Sequence, residues 1–373
     1  MYILFKLISI IIITIVRTFD NKSMRSDIRM RNDNSVFEEL NYDEEFYFQW
    51  HITNECNLRC KHCYHESYVK ENIDINQLLK VGDQLCNALD KWKKKGSFSI
   101  TGGEPLMNSD ILFKLLDYLE TRNIDRIDLL TNGTLLTDNI IKKLKGYNKL
   151  RRLQLSLEGL QVTNDKIRGV NSYAKTLEAI DNLKKHGLVV SIMMTIGSHN
   201  QNEVIPLAEE LAKHSVDVFI IDRFIPEGQS NALKSWVLSK EEIKKVYSVA
   251  YDYFKRTLKP RFLLYRTLFC LLNPDDSHIG AICSVGNNAL TIMPNGDVFP
   301  CRRLPIKLGN LFETTLYDIW YTSPLLWEIR NPGNLKGKCN NCEYVPICRG
   351  CRAVAYATTG DYLAEDPQCW KEL

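Results

Sequence analysis

The chain lacks a strong imbalance of charge. Its 48 lysines and arginines nearly balance 45 acidic residues, which leaves a formal net charge of +3. This balance argues against a nucleic-acid-binding or membrane-surface protein, because such proteins usually carry a larger excess of positive charge. Internal repeats and low-complexity tracts are also missing. The remaining composition, 45% hydrophobic and 25% charged over 373 residues, is that of an enzyme with one large or two moderate domains.

A hydrophobic run long enough to cross a bilayer is missing as well. The apolar stretch at residues 2–16 is interrupted by Lys6. As a helix it would extend about 22 Å, less than the roughly 30 Å of a hydrocarbon core. It ends at Arg17 without the small-residue cleavage site of a secretory signal. We expect translation to start at Met24 or Met30 and the run to be dispensable, with a membrane-tethering anchor as the alternative.

Cysteine, by contrast, is plentiful. Ten of the 12 cysteines fall into two zones, 56–63 and 283–369. Secreted proteins that use many cysteines for disulfides are usually short and loop-rich, unlike this chain. The clustering therefore favours metal binding in a reducing compartment, and we predict a cytoplasmic location.

Strand and helix patterns alternate from residue 46 onwards. Six strands are predicted at 46–53, 97–101, 126–131, 151–157, 189–196 and 216–222. Helices are predicted at 74–95, 109–122, 137–145, 174–186 and 201–213. This alternation predicts an α/β fold with a parallel sheet covered by helices. In a barrel-type arrangement, chemistry collects at the carboxyl ends of the strands.

Polar and glycine-rich stretches follow these strands directly. A three-cysteine loop follows the first strand, "GGEP" (102–105) the second and "NG" (132–133) the third. "SLEG" (156–159) closes the fourth strand and Arg223 follows the sixth. The carboxyl ends of parallel strands meet at one edge of a sheet, so this edge is the candidate active site.

The alternation stops after residue 225. A helix is predicted at 239–256, followed by a cysteine-rich region with a hairpin at 290–301, whose Asn295-Gly296 is a strong turn dipeptide. We therefore predict four regions: an N-terminal extension, an α/β core, a connecting helical segment and a cysteine-rich domain, at 1–45, 46–225, 226–275 and 276–373.

The three cysteines after the first strand have the spacing C-x3-C-x2-C: Cys56, Cys60 and Cys63. Three thiolates are one ligand short of a structural zinc site or an ordinary iron–sulfur cluster. The motif resembles the signature of the radical SAM superfamily. In that family the loop holds a [4Fe–4S] cluster through three irons, and the fourth iron binds S-adenosylmethionine. The resemblance covers roughly residues 46–225 and implies a partial (β/α)6 TIM-type barrel; a zinc loop is the alternative.

A second element carries the same resemblance. In the family, the "GGEP" element binds the amino end of S-adenosylmethionine, which implies that role for Gly102, Gly103, Glu104 and Pro105. Glycines let a ligand approach the backbone closely, and Glu104 can accept hydrogen bonds from an ammonium group. Five further residues stand where family members hold the ribose or the methionine carboxylate, although each is equally compatible with a turn residue or a surface charge: Asn132, Ser156, Glu158, Arg168 and Arg223.

The downstream cysteines closely resemble the SPASM domain, which carries two auxiliary [4Fe–4S] clusters. The quartet has the spacing C-x2-C-x5-C-x2-C, one residue shorter at its end than the usual form. The shorter form resembles the branch that modifies haem precursors, though peptide maturases also use it. A zinc site with four thiolates is the competing interpretation.

By position, the resemblance implies two ligand sets. The second auxiliary cluster would use Cys339, Cys342, Cys348 and Cys369, and the first would use Cys283, Cys301 and Cys351. Cys270 is the only candidate for the fourth ligand of the first cluster, and a buried structural cysteine is an equal alternative. Without Cys270, that cluster would have an open iron for substrate.

The resemblance implies an enzyme that reductively cleaves S-adenosylmethionine to a 5′-deoxyadenosyl radical, which abstracts hydrogen from a substrate. A ribosomally synthesised peptide is the first choice of substrate, with crosslinking, oxidation or epimerisation as the modification. A haem-type tetrapyrrole or a pterin cofactor precursor is the alternative. A non-catalytic zinc or iron–sulfur scaffold is a remote third.

The expected partners follow from this reading of the family. About 45 residues precede the first strand, too few for the leader-binding domain of many peptide maturases. A separate leader-binding protein is therefore an expected partner for a peptide substrate. A cytosolic electron donor such as flavodoxin or ferredoxin is expected, and no nucleic acid.

Overall fold

The computed structural model describes residues 45–65, 68, 74–257, 259–276 and 279–372. The apolar run at 2–16 lies outside these residues. Among the helices that are described, none is both long and apolar enough to cross a membrane.

Six parallel strands form the centre of the sheet and pair in chain order. They are β1 (Glu45–His51), β2 (Lys95–Thr101), β3 (Arg126–Leu130), β4 (Leu150–Ser156), β5 (Val190–Ile196) and β6 (Val218–Arg223). The connecting helices are α1 (Ile75–Trp92), α2 (Ser109–Glu120), α3 (Asp138–Leu144), α4 (Gln161–Arg168), α5 (Ser172–Lys185) and α6 (Val204–Lys213). The predicted parallel α/β core is confirmed.

The two faces of the first strand differ in polarity. Phe46, Phe48 and Trp50 are buried in the hydrophobic core, and the ring of Phe46 lies 4.6 Å from that of Trp92 on α1. Because side chains alternate along a strand, Tyr47 and His51 face the other side of the sheet. The outer face therefore packs on helices, and the polar inner face lines the barrel.

Helix α1 has the hydrophobic periodicity from which it was predicted. Its buried residues Leu78, Val81, Leu85 and Leu89 recur at intervals of three or four and form one face. The N-cap Asp74 accepts a hydrogen bond from the amide of Asn76 at 2.9 Å. The helix predicted at 74–95 is confirmed with bounds Ile75–Trp92.

The sheet extends beyond the six core strands on both sides. Strand β7 (Arg261–Phe262) pairs with β6, and β8 (Ala289–Ile292) pairs in parallel with β1. Strands β9 (Asp297–Phe299) and β10 (Gly309–Asn310) complete the order β10-β9-β8-β1-β2-β3-β4-β5-β6-β7. The predicted hairpin at 290–301 is confirmed as β8–β9. The cysteine-rich region thus lies directly beside the first barrel strand.

The remaining helices belong to the C-terminal part of the chain. They are α7 (Lys240–Arg256), α8 (Leu316–Thr322), α9 (Pro324–Arg330) and α10 (Arg352–Thr359). The helix predicted at 239–256 is α7, whose N-cap Ser239 forms a capping box with Glu242. The short helices α8 to α10 were not predicted.

Candidate active site

The three-cysteine loop follows β1 as an irregular segment with free, partly exposed thiols. The amide of Lys61 donates to the carbonyl of Ile167 at 2.9 Å, which fixes the loop against α4. Two N–H groups point at the sulfur of Cys56: the amide of Leu58 at 3.4 Å and Nδ2 of Asn132 at 3.9 Å. Such donors stabilise a thiolate ligand.

The "GGEP" segment is bonded to the start of this loop through the backbone. The amide of Gly103 donates to the carbonyl of Thr53 at 2.8 Å, and the amide of Glu104 donates to that of Glu55 at 2.8 Å. A Cβ atom on Gly102 would lie 2.4 Å from the Thr53 carbonyl oxygen, and one on Gly103 would lie 2.4 Å from that of Glu55. Close contact with the cysteine loop therefore requires glycine at both positions. From the sequence, these glycines were expected only to let a ligand approach the backbone.

Glu104 is fully buried and links the ends of β2 and β3. Its carboxylate accepts hydrogen bonds from Thr131 Oγ1 at 2.7 Å, from the amide of Asn132 at 2.7 Å and from the amide of Leu106 at 3.1 Å. Burial raises its pKa despite these donors. A carboxylate has about four acceptor positions, so little capacity remains for an ammonium group. Pro105 is buried and begins a short 3-10 turn.

Glu158 and Arg168 form a buried ion pair at the carboxyl edge of the sheet. Oε1 of Glu158 lies 2.9 Å from Arg168 Nη1 and 2.9 Å from His62 Nε2, and Oε2 accepts from the Thr195 amide at 2.8 Å. Burial alone would raise the pKa of Glu158, but His62 and Arg168 outweigh it and hold that pKa at about 2. The ionised carboxylate orients Arg168, whose charge also acts on the Cys60 thiol.

Two other predicted residues lie at the same edge. The Nδ2 of Asn132 donates to Oδ1 of Asn57 in the cysteine loop at 2.8 Å. Ser156 is half-buried at the end of β4, two residues before Glu158. The structure therefore brings the cysteine loop, "GGEP", Asn132, Ser156, Glu158 and Arg168 to one edge.

Arg223 belongs to a different contact. Its guanidinium donates to both carboxylate oxygens of Asp366, at 3.0 and 2.9 Å, and to Oε1 of Gln368 at 2.9 Å and Oγ1 of Thr267 at 3.1 Å. These bonds use most of its donors. Arg223 thus joins the barrel to the C-terminal segment, and its role in binding a methionine carboxylate stays a prediction.

The C-terminal cysteines form two groups of free thiols. Cys283, Cys301 and Cys351 are close enough to influence one another electrostatically, and burial raises the pKa of Cys301 to about 12. Cys348 likewise influences Cys339 and Cys369 electrostatically. Burial disfavours the free thiolate, and a bound metal would displace the thiol proton, so these groups suit metal-bound thiolates.

Cys270 lies with the second of these groups. Its buried thiol is hydrogen-bonded to that of Cys348, which lowers the pKa of Cys270 and raises that of Cys348. It also interacts electrostatically with Cys369 and Cys342. The structure therefore places Cys270 beside Cys348, and its assignment to the first auxiliary set stays a prediction.

The cysteine groups differ from a site for a single metal ion. In the described part of the chain, no three His, Cys, Asp or Glu side chains converge closely enough to hold a single metal ion. Soft thiolates in sets of three or four are the ligands that iron–sulfur clusters use. By the chemistry of the donors, the residues fit such clusters.

Sequence reasoning missed two arginines that follow Cys301. Arg302 pairs with Glu227 at 3.2 Å, and its guanidinium lies 4.3 Å from the ring centre of Tyr64. Arg303 pairs with Asp222 on β6. The signal was the "CRRL" stretch at 301–304, two cations directly after a predicted ligand. Both arginines thus form ion pairs that join the cysteine-rich region to carboxylates on β6 or just after it.

A parallel α/β barrel with a three-cysteine loop at its carboxyl edge and a second cysteine-rich region is the architecture of a radical SAM enzyme. Two family models match the chain: the radical SAM superfamily over residues 50–211 and an iron–sulfur cluster-binding domain, SPASM, over residues 283–352. The second match overturns the alternative of a zinc scaffold.

Individual proteins agree with the family models. The AdoMet-dependent heme synthase of Methanosarcina barkeri is 31% identical over 348 residues, which is 86% of this chain and 95% of that protein. The Bacillus subtilis subtilosin biosynthesis protein AlbA is 26% identical, over 80% of this chain and 65% of its own. The crystal structure of Streptococcus suis SuiB bound to S-adenosylmethionine has a TM-score of 0.70 at 20% identity, over 88% of this chain and 78% of SuiB.

The chain belongs to the radical SAM superfamily and carries a C-terminal SPASM domain. It is an enzyme, and its cofactors are [4Fe–4S] clusters and S-adenosylmethionine.

Proposed function

We propose that the chain modifies a haem-type tetrapyrrole precursor, the alternative substrate class of the sequence analysis. The observation that carries the proposal is a set of three half-buried arginines, one on the barrel strand β4 and two that connect the cysteine-rich region to the barrel. Arg152 pairs with Asp128, Arg302 with Glu227 and Arg303 with Asp222. Haem precursors carry carboxylate side chains, and a guanidinium matches a carboxylate in charge and geometry.

The heme synthase from Methanosarcina barkeri supports this choice. Its similarity to the chain extends over 95% of its own length, and it is 31% identical. AlbA is less similar, and the similarity covers 65% of its length. The first comparison therefore includes both the barrel and the cysteine-rich region.

The proposed roles of the residues follow the geometry. Cys56, Cys60 and Cys63 hold the cluster that binds S-adenosylmethionine. When bound, these cofactors supply a 5′-deoxyadenosyl radical that abstracts a hydrogen atom from the substrate. The backbone of Gly102, Gly103, Glu104 and Pro105, and the side chains of Asn132, Ser156 and Arg168, surround S-adenosylmethionine. Glu158 acts through Arg168, which it orients by their 2.9 Å ion pair.

The C-terminal cysteines are proposed to hold two auxiliary clusters. One set is Cys283, Cys301 and Cys351, which is one thiolate short of four. The other is Cys339, Cys342, Cys348 and Cys369, with Cys270 alongside. A flavodoxin or ferredoxin is the proposed source of electrons for the cluster in the barrel.

Anaerobic reconstitution with iron and sulfide tests this function. With dithionite, S-adenosylmethionine and iron coproporphyrin III, we expect 5′-deoxyadenosine together with a porphyrin product of changed mass. The C56A/C60A/C63A triple variant is the matched control: it should lose 5′-deoxyadenosine formation and keep its auxiliary iron. Full 5′-deoxyadenosine formation without any change in the porphyrin would contradict the proposal.

A ribosomally synthesised peptide is the second candidate. Its supporting observation is the similarity to AlbA, a bacteriocin biosynthesis protein, over 80% of this chain. In that case a separate leader-binding protein is the expected partner. Peptide-dependent formation of 5′-deoxyadenosine, with no response to iron porphyrins, would favour this candidate over the first.

A further inference from the structure

The C-terminal region contains a guanidinium that is buried without a carboxylate partner. Arg352, the first residue of α10, is 1% exposed. Its Nη1 donates to the carbonyls of Tyr362 and Ala364, at 3.0 and 2.7 Å. Within the described residues, its Nε and Nη2 have no hydrogen-bond partner, and it forms no ion pair. Burying a cation in this way is unfavourable unless an anionic group compensates its charge.

The carboxylates on the nearby segment 361–366 do not supply this compensation. Each of the three has another partner: Asp361 pairs with Lys336 at 2.6 Å, Glu365 accepts from the amide of Lys338 at 2.7 Å, and Asp366 pairs with Arg223 at 2.9 Å. The charge of Arg352 is therefore left for a group that the chain itself does not provide.

The guanidinium packs on the turn that carries one cysteine of each auxiliary set. This turn, "CRGC", contains Cys348 of the second set and Cys351 of the first. A Cβ atom on Gly350 would lie 2.8 Å from Nη2 of Arg352, so the guanidinium contacts the turn directly. The amide of Gly350 points at the sulfur of Cys348, 3.4 Å away. The amide of Cys283, in the first set, donates to the carbonyl of Cys348 at 3.4 Å. The two sets therefore meet at the turn on which Arg352 packs.

Thiols of both sets respond to the charge of Arg352. Burial raises the pKa of Cys283 in the first set and of Cys339 in the second, and the guanidinium opposes both rises. The backbone amide of Arg352 also donates to the Cys283 thiol. The same positive charge thus favours a thiolate in each set.

We propose that Arg352 is the electrostatic partner of the two auxiliary clusters, that its Nε and Nη2 groups donate to them, and that it raises their reduction potentials. An iron–sulfur cluster gains negative charge when it accepts an electron. A fixed cation and hydrogen bonds to sulfur therefore favour the reduced form. This inference rests on the two cysteine sets assigned under the proposed function, and it does not depend on the substrate class.

The test is an anaerobic redox titration of the full chain with dithionite, followed by electron paramagnetic resonance. It uses the C56A/C60A/C63A background, so that only the auxiliary clusters contribute. R352Q removes the charge and keeps an amide that can donate to a carbonyl. We expect R352Q to make reduction of the auxiliary clusters about tenfold less favourable, the effect of one charged hydrogen bond, which is about 59 mV for a one-electron couple. R352K retains the charge and should recover most of this shift.

A matched control separates this role from structural support. Arg330 also donates to two carbonyls, those of Gly286 and Trp320, both at 2.8 Å, and its guanidinium lies 4.2 Å from the ring centre of Trp320. R330Q should therefore leave the potentials of the auxiliary clusters unchanged.

Four outcomes decide the inference. Wild-type potentials in R352Q would overturn it. Loss of auxiliary iron from both R352Q and R352K would also overturn it, because Arg352 would then be a structural brace. Loss of auxiliary iron from R352Q alone would support it. A C56A/C60A/C63A variant without auxiliary iron would overturn the inference together with the assignment of the two cysteine sets. None of these outcomes bears on the substrate, which the porphyrin assay tests separately.

Discussion

The two cysteine regions are assembled in different ways. In the barrel, three cysteines lie within eight residues, and backbone bonds from Gly103 and Glu104 hold the start of their loop. In the C-terminal region, the cysteines are spread over 270–369, and tertiary contacts bring the distant ones together. The first arrangement depends on local spacing and the second on distant packing. The second should therefore be the easier one to disrupt from a remote position.

The largest effect is expected from the contact that joins the two regions. Asp366 is fully buried and bonds to both Arg223 and the amide of Cys351, the latter at 2.8 Å. D366A leaves the buried guanidinium unpaired, which costs about 3–5 kcal/mol. We expect a lower denaturation midpoint and loss of auxiliary iron with barrel iron retained. Selective loss of the barrel iron would show instead that Asp366 supports the cluster of the barrel.

A smaller effect, confined to the barrel, is expected from G103A. The added Cβ would lie 2.4 Å from the carbonyl oxygen of Glu55, so the cysteine loop must move. We expect a loss of about 1–3 kcal/mol in unfolding free energy, the usual cost of overpacking, and strongly reduced 5′-deoxyadenosine formation with normal auxiliary iron. The matched control is G146A, because the nearest atom to its new Cβ lies at 3.2 Å on the protein surface. Equal behaviour of both variants would contradict the proposed role of Gly103.

A pH-dependent effect is expected at Glu158. Its pKa in the folded chain is about 2, below the usual 4.5, because His62 and Arg168 outweigh burial. A depressed pKa stabilises the fold above the unfolded value, and this stabilisation disappears as the pH falls from 4.5 towards 2. Between pH 5 and 8 the contribution is constant. Below pH 4.5, the unfolding free energy should therefore fall less steeply with decreasing pH in E158Q than in the wild type. Parallel curves of unfolding free energy against pH would contradict this.

The same difference between the regions explains what could be predicted from the sequence. The six core strands and five of their six connecting helices follow local periodicity, and the three-cysteine loop follows local spacing, so these were predicted. The short helix α4 was not predicted. The pairing of β8 with β1 joins segments that no local pattern relates. The ion pair of Arg223 was not predicted because its partner Asp366 lies 143 residues away, and the location of Cys270 depends on the same kind of packing.

The smallest effect is expected from C270A, and it tests the C-terminal grouping most directly. Cys270 is 2% exposed and hydrogen-bonded to Cys348, not to Cys283, Cys301 or Cys351. Removing a small buried side chain costs about 1 kcal/mol. Since the first group would keep its three thiolates, we expect unchanged total iron and only the spectroscopic signature of the second auxiliary cluster to shift. The control is C283A, which should remove iron from the first group. If C270A instead reproduces the iron loss of C283A, Cys270 ligates the first cluster and the packing shown by the structure changes when the clusters bind.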